Sequence, residues 1–248
     1  MFEPRLALAS LSGEADAAWA AAGADLAGAA FVGGIALDEP SREAAQTLTE
    51  RDRNEFLPPD PLQFVDDQLS QLADVPINSG VNVRSTTVEP IQEAAAICAE
   101  HGAILEINAH CRQPELCAAG CGESLLADCD RLTTYVEAAA GEDSAVSVKI
   151  RTEVPGVDLP TVAQRIEGAG ADIIHVDAMD SEQIITEIDE ATELFIIANN
   201  EVRDRQSVQE YLGYGADAVS VGRPSREPEG PVMQRVAEAV DAWEAPAR

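Results

Sequence analysis

Residues 145–177 read AVSVKIRTEVPGVDLPTVAQRIEGAGADIIHVD. Two apolar runs, AVSVKI (145–150) and DIIHVD (172–177), flank an amphipathic stretch, LPTVAQRIEGAG (159–170), that closes on glycine. Runs that are apolar almost throughout fit strands covered on both faces of a parallel sheet, and a terminal glycine is the common helix C-cap. The stretch therefore predicts strand, helix, strand. Its junction AGADII returns downstream as YGADAV, so one helix-to-strand turn is used twice.

Outward from this unit the same alternation covers the chain. Further strands are predicted at 5–9, 28–34, 75–81, 103–108, 194–199 and 217–222, making eight, with helices at 86–102, 123–141, 181–192, 207–215 and 232–243. Eight such units in 248 residues predict an α/β fold, a (β/α)8 TIM barrel spanning 1–248 as a single domain. An open doubly wound sheet is the alternative; no GxGxxG follows the first strand, which counts against it. Residues 38–60 exceed a minimal unit, and ERDRNEFLPPDP (50–61) predicts an extended loop with a short helix. Because it follows strand two, that loop belongs at the catalytic mouth of a barrel.

Charge narrows the function classes. The chain carries 45 acidic and 16 basic residues, formally −29, and Lys149 is the one lysine beside fifteen arginines. The acid is spread along the chain, as a surface coat is. Strong like charge favours solubility and strains the compact state, a balance that suits high salt. The expectation is a salt-adapted, halophilic protein of the cytoplasm whose mean field repels nucleic acid at low salt. The opening MFEPRLALAS lacks the parts of a secretory leader. The Ala-rich run 15–37 is broken by Asp16, Asp25 and glycines, so it is not a membrane span. Five cysteines, an odd number, read as free thiols rather than a disulfide framework.

In a barrel, chemistry collects at the carboxyl ends of strands. Those ends hold Asn108 to Cys111, Lys149 to Arg151, His175 to Asp177, Asn199 with Asn200, and Gly222 with Arg223. Lys149 sits inside a strand, where a compact ammonium can deliver a point charge to an anion; the competing reading is a lysine snorkelling at a strand end. His175 ends an apolar strand, a place where histidine also occurs as a satisfied core residue. The cysteines space as Cys111-x5-Cys117-x3-Cys121-x7-Cys129, and only one interval matches a zinc pair, so no metal site is expected. Cys98 and Cys129 fall within predicted helices as small core residues. Cys111, directly after strand four, reads as a single reactive thiol.

INAHCRQPELCAAGCGESLL (107–126) resembles the strand-four signature of the tRNA-dihydrouridine synthases, Asn-x-Gly-Cys-Pro followed by Gly-x-Gly-x-x-Leu-Leu. Asn108, Cys111, Gly120, Gly122, Leu125 and Leu126 fall in place without a gap. VSVKIRT is similar to the family's Val-Lys-Ile-Arg strand at Lys149 and Arg151, and His175 falls where its sixth strand has a histidine. IIANNEVRD keeps Asn199 of a Gly-Asn-Gly-Asp segment, and GADAVSVGRPS resembles the family's ending at Gly222 and Arg223. The chain departs from the pattern at His110, Arg112, Asn200 and Pro224, where the family has Gly, Pro, Gly and Gly. A strand-three glutamine falls at Asn78 or Asn82, and the family's C-terminal helical domain that grips tRNA is not expected here.

The resemblance implies FMN at the barrel mouth, reduced by NADPH or NADH, and hydride transfer to the 5,6-double bond of uridine in tRNA. It implies Cys111 as proton donor to carbon, with Lys149 stabilising charge on the reduced flavin. Asn108 and His175 would hydrogen-bond flavin or pyrimidine. Asn199, Asn200, Gly222 and Arg223 would hold the flavin phosphate, while Gly120 and Gly122 turn the loop into its helix. Two further readings stay open: a flavin enzyme for a free pyrimidine, of the dihydroorotate or dihydropyrimidine dehydrogenase type, and a flavin-free barrel without this activity.

Overall fold

Eight strands pair in parallel in chain order and the last returns to the first: β1 (Leu6–Leu8), β2 (Ala29–Ala36), β3 (Asn78–Arg84), β4 (Ile104–Asn108), β5 (Ala145–Arg151), β6 (Ile173–Asp177), β7 (Phe195–Asn199) and β8 (Ala218–Val221). This computed structural model describes residues 1–243. The helices are α1 (Ala17–Ala22), α2 (Glu39–Thr49), α3 (Pro61–Leu72), α4 (Glu89–His101), α5 (Pro114–Ala119), α6 (Glu123–Ala127), α7 (Cys129–Ala140), α8 (Leu159–Gly168), α9 (Ile184–Ala191), α10 (Arg205–Gly213) and α11 (Pro231–Asp241). The chain is a (β/α)8 TIM barrel, as its alternating pattern predicts.

Period-two alternation explains what each strand buries. On β5, Val146, Val148 and Ile150 join the core beneath the helices, where Val162, Ala163 and Ile166 of α8 meet them. Ser147, Lys149 and Arg151 face into the barrel instead. Inside, Ala7, Ala29, Phe31, Ile104, Ile173, Ile197 and Ala218 make an apolar floor plugged by Phe2. Above that floor the interior turns polar, and the change of layer positions the site.

Several elements differ from expectation, and α1, α3 and α5 lie where no helix is predicted. The third strand runs Asn78–Arg84 rather than 75–81, because Asn82 and Arg84, polar residues that argue against a buried strand, find partners inside the barrel. The predicted helix 123–141 is two helices. Asp128 leaves the helical region at φ −102 and ψ 72, and its side chain accepts from the Arg131 amide to start α7. Residues 38–60 carry more helix than foreseen, since Asp38 caps the eleven-residue α2 through the Ser41 amide, and the loop proper begins at Glu50. Among the described residues, no helix is long and apolar enough to cross a membrane.

Candidate active site

A cavity of about 540 Å³ opens at the carboxyl ends of the strands, well within the size range of small-molecule sites. Strand ends and following loops build its wall: Ser12 after β1, Asn54 from the long loop, Arg84 of β3, Asn108 with His110 and Cys111 of β4, Arg151 of β5, and Asp177 of β6. Six of the fifteen arginines line it, at 53, 84, 112, 151, 223 and 226, against Glu14, Asp52 and Asp177. The lining is formally +3 in a chain of −29. The positive charge of this protein is concentrated at its mouth.

The long loop is held there by Arg84. Its guanidinium donates to Glu55 at 2.7 Å and also to Ser12, and both members of the Arg84–Glu55 pair are buried. Phe56 adds a parallel bridge to Ile35. Asp52, Arg53 and Asn54 are thereby presented to the cavity, where the sequence places this loop.

Beneath the cavity lies a buried polar layer centred on Glu106 of β4, which is 0 % exposed. Its carboxylate accepts from Asn82 Nδ2 at 2.8 Å, from Ser147 Oγ at 3.2 Å and from His175 Nδ1 at 2.6 Å. Ser220 Oγ accepts from Asn199 Nδ2 at 2.8 Å, so its own hydrogen is free to donate to His175 Nε2, 2.8 Å away. That order suits the tautomer with Nδ1–H directed at Glu106. On the other side Asn108 Nδ2 donates to Asn82 Oδ1 at 2.9 Å, and Asn108 Oδ1 accepts from the backbone amides of His110 and Cys111 at 3.4 and 3.2 Å. Every donor in the chain points toward one carboxylate. Hydrogen bonds to a charged group contribute about 1.5–3 kcal/mol each, so this layer holds the Cys111 loop and β4 to β8 in one arrangement.

Charges follow from burial and neighbours. Burial pushes the Glu106 carboxyl up, but the neighbouring His175 and Lys149, with the hydrogen bonds from His175 and Asn82, outweigh it, and its pKa lies below the ordinary value. Burial, then the nearby Lys149 charge, lowers His175 despite Glu106, which agrees with a neutral imidazole. His110 is held well below the usual histidine range, first by burial and then by Lys149, His175, Arg84 and Arg151. Lys149 is 2 % exposed; burial lowers its pKa while Glu106 and Asp177 oppose that. Among the described residues no hydrogen bond or ion pair reaches its ammonium. In register it lies between Asn108 and His175, one inward position below Arg151.

The loop after β4 explains its two glycines. Gly120 ends α5 at φ +97. Gly122 has φ +62, and a Cβ there would lie 2.0 Å from the Cys111 carbonyl oxygen. Only a residue without a side chain lets α6 start against the thiol's own backbone. Asn200, standing where the resembled pattern has glycine, adopts φ +111, and its Nδ2 donates to Met179 O at 2.9 Å.

The structure sorts the anticipated residues into two levels. Asn108, Cys111, Asn200 and Arg223 line the cavity. Lys149, His175, Asn199 and Gly222 do not. His175 has both ring nitrogens taken by protein, so a direct ligand contact gives way to a supporting position below the cavity. Asn199 likewise spends its amide on Ser220. Of the two asparagines considered on strand three, Asn82 enters the interior, whereas Asn78 donates to Gly28 O at the far end of the barrel. Of the cysteines, Cys98 is buried and Cys129 only partly so. Sequence reasoning missed Glu106, Ser147, Ser220 and Arg84. Glu106 had a signal: it lies two residues before Asn108, hence on the same face of β4, as an acid within an apolar run.

Among the described residues eight buried side-chain polar atoms lack a partner, and four of them, Arg84 Nε, His110 Nδ1, Arg151 Nε and Asp177 Oδ1, belong to residues of the cavity wall. Buried polar groups are normally satisfied, so a cavity that keeps four orphans is suited to a polar ligand that satisfies them.

Comparison with known proteins agrees with this setting. The sequence model of the dihydrouridine synthase (Dus) family matches residues 65–242. An uncharacterized protein of Methanocaldococcus jannaschii is 27% identical over 233 residues, covering 89% of each chain. The tRNA-dihydrouridine synthase B of Xanthomonas campestris pv. campestris is 28% identical over 160 residues, which is 59% of this chain and 48% of that protein. The chain thus matches about half the length of that synthase. Among solved structures, FabK from Thermotoga maritima superposes with a TM-score of 0.58 at 14% identity, over 89% of this chain and 58% of FabK. A chain of the tryptophan synthase complex from Pyrococcus furiosus gives 0.61 at 13% identity, over 97% and 100%. Those two likenesses concern the barrel alone.

Proposed function

Because the chain belongs to the dihydrouridine synthase family, an oxidoreductase family acting on CH–CH bonds, we propose that it is an FMN-dependent reductase of the 5,6-double bond of uridine in tRNA, using NADPH or NADH. The single barrel is read as the flavin-binding domain. The observation that carries the proposal is a buried lysine, Lys149, to which no hydrogen bond or ion pair is made among the described residues, beneath a cavity walled by Cys111 and arginines.

The residues present fit the cofactor. The four orphaned polar atoms and the arginine-rich lining suit a polar heterocycle bearing phosphate, and Asn200 and Arg223 lie on the side expected for that phosphate. When bound, FMN supplies the hydride chemistry. The chain does the rest. Lys149 would supply positive charge to the bound flavin from its buried position, where low dielectric makes it count most. Cys111 Sγ gives a proton to the pyrimidine carbon that has gained electron density, then recovers one from solvent. Asn108 holds the Cys111 amide, while His175 and Asn199 keep the layer beneath in register. Arg53, Arg112 and Arg223 have no carboxylate partner among the described residues, are exposed, and ring the entrance, where they suit the phosphates of a nucleic acid.

A second reading rests on the surface itself. Outside the mouth the chain is overwhelmingly acidic, which opposes a polyanion that extends beyond the cavity and favours a free pyrimidine. Purified protein with FMN and NADPH, offered tRNA lacking dihydrouridine or uracil in turn, separates the two by which becomes reduced. Protein that gains no flavin absorbance on adding FMN overturns both and leaves a flavin-free barrel. In Cys111→Ala, flavin binding is expected to persist while turnover falls by about 10²–10⁴-fold, the usual worth of a positioned acid; unchanged turnover removes the thiol from the mechanism.

A further inference from the structure

Glu106 makes three hydrogen bonds, and none of the donors brings a charge. Asn82 and Ser147 are neutral by nature, and His175, facing the Ser220 hydroxyl at Nε2, is held toward the neutral form by burial and by Lys149. The carboxylate is therefore satisfied in its hydrogen bonds and left whole in its charge, at 0 % exposure. Lys149 presents the mirror case, a residue 2 % exposed whose ammonium forms no ion pair among the described residues. The two residues sit on the neighbouring strands β4 and β5, whose register pairs Glu106 with Ser147 and Asn108 with Lys149. Both side chains face the barrel interior, one inward step apart.

We propose that Glu106 is the counter-charge that keeps Lys149 an ammonium inside the barrel, a positioning residue that acts on the reaction through that lysine. The inference rests on the flavin reading for its purpose and on the geometry alone for its content. An isolated buried charge costs many kcal/mol and ordinarily neutralises by shifting its pKa. Two opposite charges on adjacent strands relieve each other without touching, since low dielectric lengthens the reach of the attraction. The remaining groups around Lys149 do not replace Glu106. Arg84 and Arg151 are cations and His110 is neutral, so they repel the ammonium or leave it indifferent. Asp177 of β6 is the other anion, but it lies on the cavity wall and is less buried than Glu106, so solvent screens it more. Glu106 alone is fully buried and pinned in place. An ammonium held at a distance by its counter-ion also keeps its hydrogens free for a ligand, which a direct salt bridge would occupy.

The single lysine makes the test unambiguous. Full-length protein grown with ¹⁵N-lysine has one Nζ resonance, whose titration midpoint reads Lys149 directly. Glu106→Gln, which keeps the shape and removes the charge, is expected to lower that midpoint by about one pH unit or more. Glu106→Asp should restore most of the shift, and Asp177→Asn should lower the midpoint less than Glu106→Gln. A folded Glu106→Gln protein with the wild-type midpoint overturns the proposal. Should that variant fail to fold, Lys149→Met decides. The Glu106 carboxyl ¹³C resonance, identified by its absence in Glu106→Asp, should then titrate at higher pH than in wild type, and an unmoved titration overturns the proposal equally. Neither measurement involves flavin. A protein that takes up no FMN can still show the coupling, and an uncoupled lysine leaves the flavin reading standing.

Discussion

His110 and Cys111 share a loop and both line the cavity, yet the protein treats them differently. The Cys111 amide is anchored on Asn108 Oδ1, while the His110 ring keeps its Nδ1 shielded and unpartnered among Lys149, His175, Arg84 and Arg151. Burial, first, and then these neighbours hold its folded-state pKa well below the usual histidine value. The sign of the pH effect follows. As pH falls below about 6.5, the unfolded chain takes up a proton that folded His110 refuses, so stability declines from there down to the lowered folded value. His110→Gln should flatten the loss of unfolding free energy between about pH 7 and pH 5, by at most ~1.4 kcal/mol per pH unit. Urea denaturation at several pH values measures it; an unchanged slope would show that the folded imidazole protonates freely. His175 contributes in the same direction, which is why the comparison needs the single variant rather than the wild-type slope alone.

Among elements, the β4 loop shows how one backbone atom governs a site. Gly102 and Gly122 have the same φ of +62, but an added Cβ meets nothing within 4 Å at Gly102 and meets the Cys111 carbonyl at 2.0 Å at Gly122. Gly102→Ala should therefore cost only the left-handed strain, about 1–2 kcal/mol. Gly122→Ala should cost on the order of 3 kcal/mol or more and displace the Cys111 loop. Thermal melts of the two variants side by side test this, and equal losses would mean that the loop yields without strain. The spacing from Cys111 to Gly120 and Gly122 is readable in the chain, because a positive φ demands glycine locally. The break at Asp128 is harder to read. Helix resumes directly after it, and its one local signal is the Asp128 side chain that caps α7 on the Arg131 amide.

At the scale of the whole molecule, 45 acidic residues against 16 basic ones make a self-repelling shell around a cationic mouth. Salt screens the shell over a Debye length of about 10 Å at 0.1 M and ~3 Å at 1 M. Raising KCl from about 0.1 M to ~2 M should raise Tm as the self-repulsion is screened; a flat or falling Tm would show that the charges are already compensated. The same screening weakens arginine contacts to phosphate, so turnover on tRNA, where measured, should fall in salt more steeply than turnover on uracil.

The barrel, its strand order and the row Asn108, Lys149, His175 are determined by the sequence itself. A buried parallel strand is a local apolar run, its inward residues follow from a period of two, and consecutive strands of a barrel are neighbours. Which of those inward groups stays free was decided only in three dimensions. The partners of Glu106 come from 24 residues before it at Asn82 and 69 after it at His175, separations that no local pattern encodes. Closing the barrel turned a candidate ligand-binding histidine into the support of a carboxylate, and left the one lysine beside it as the group without a partner.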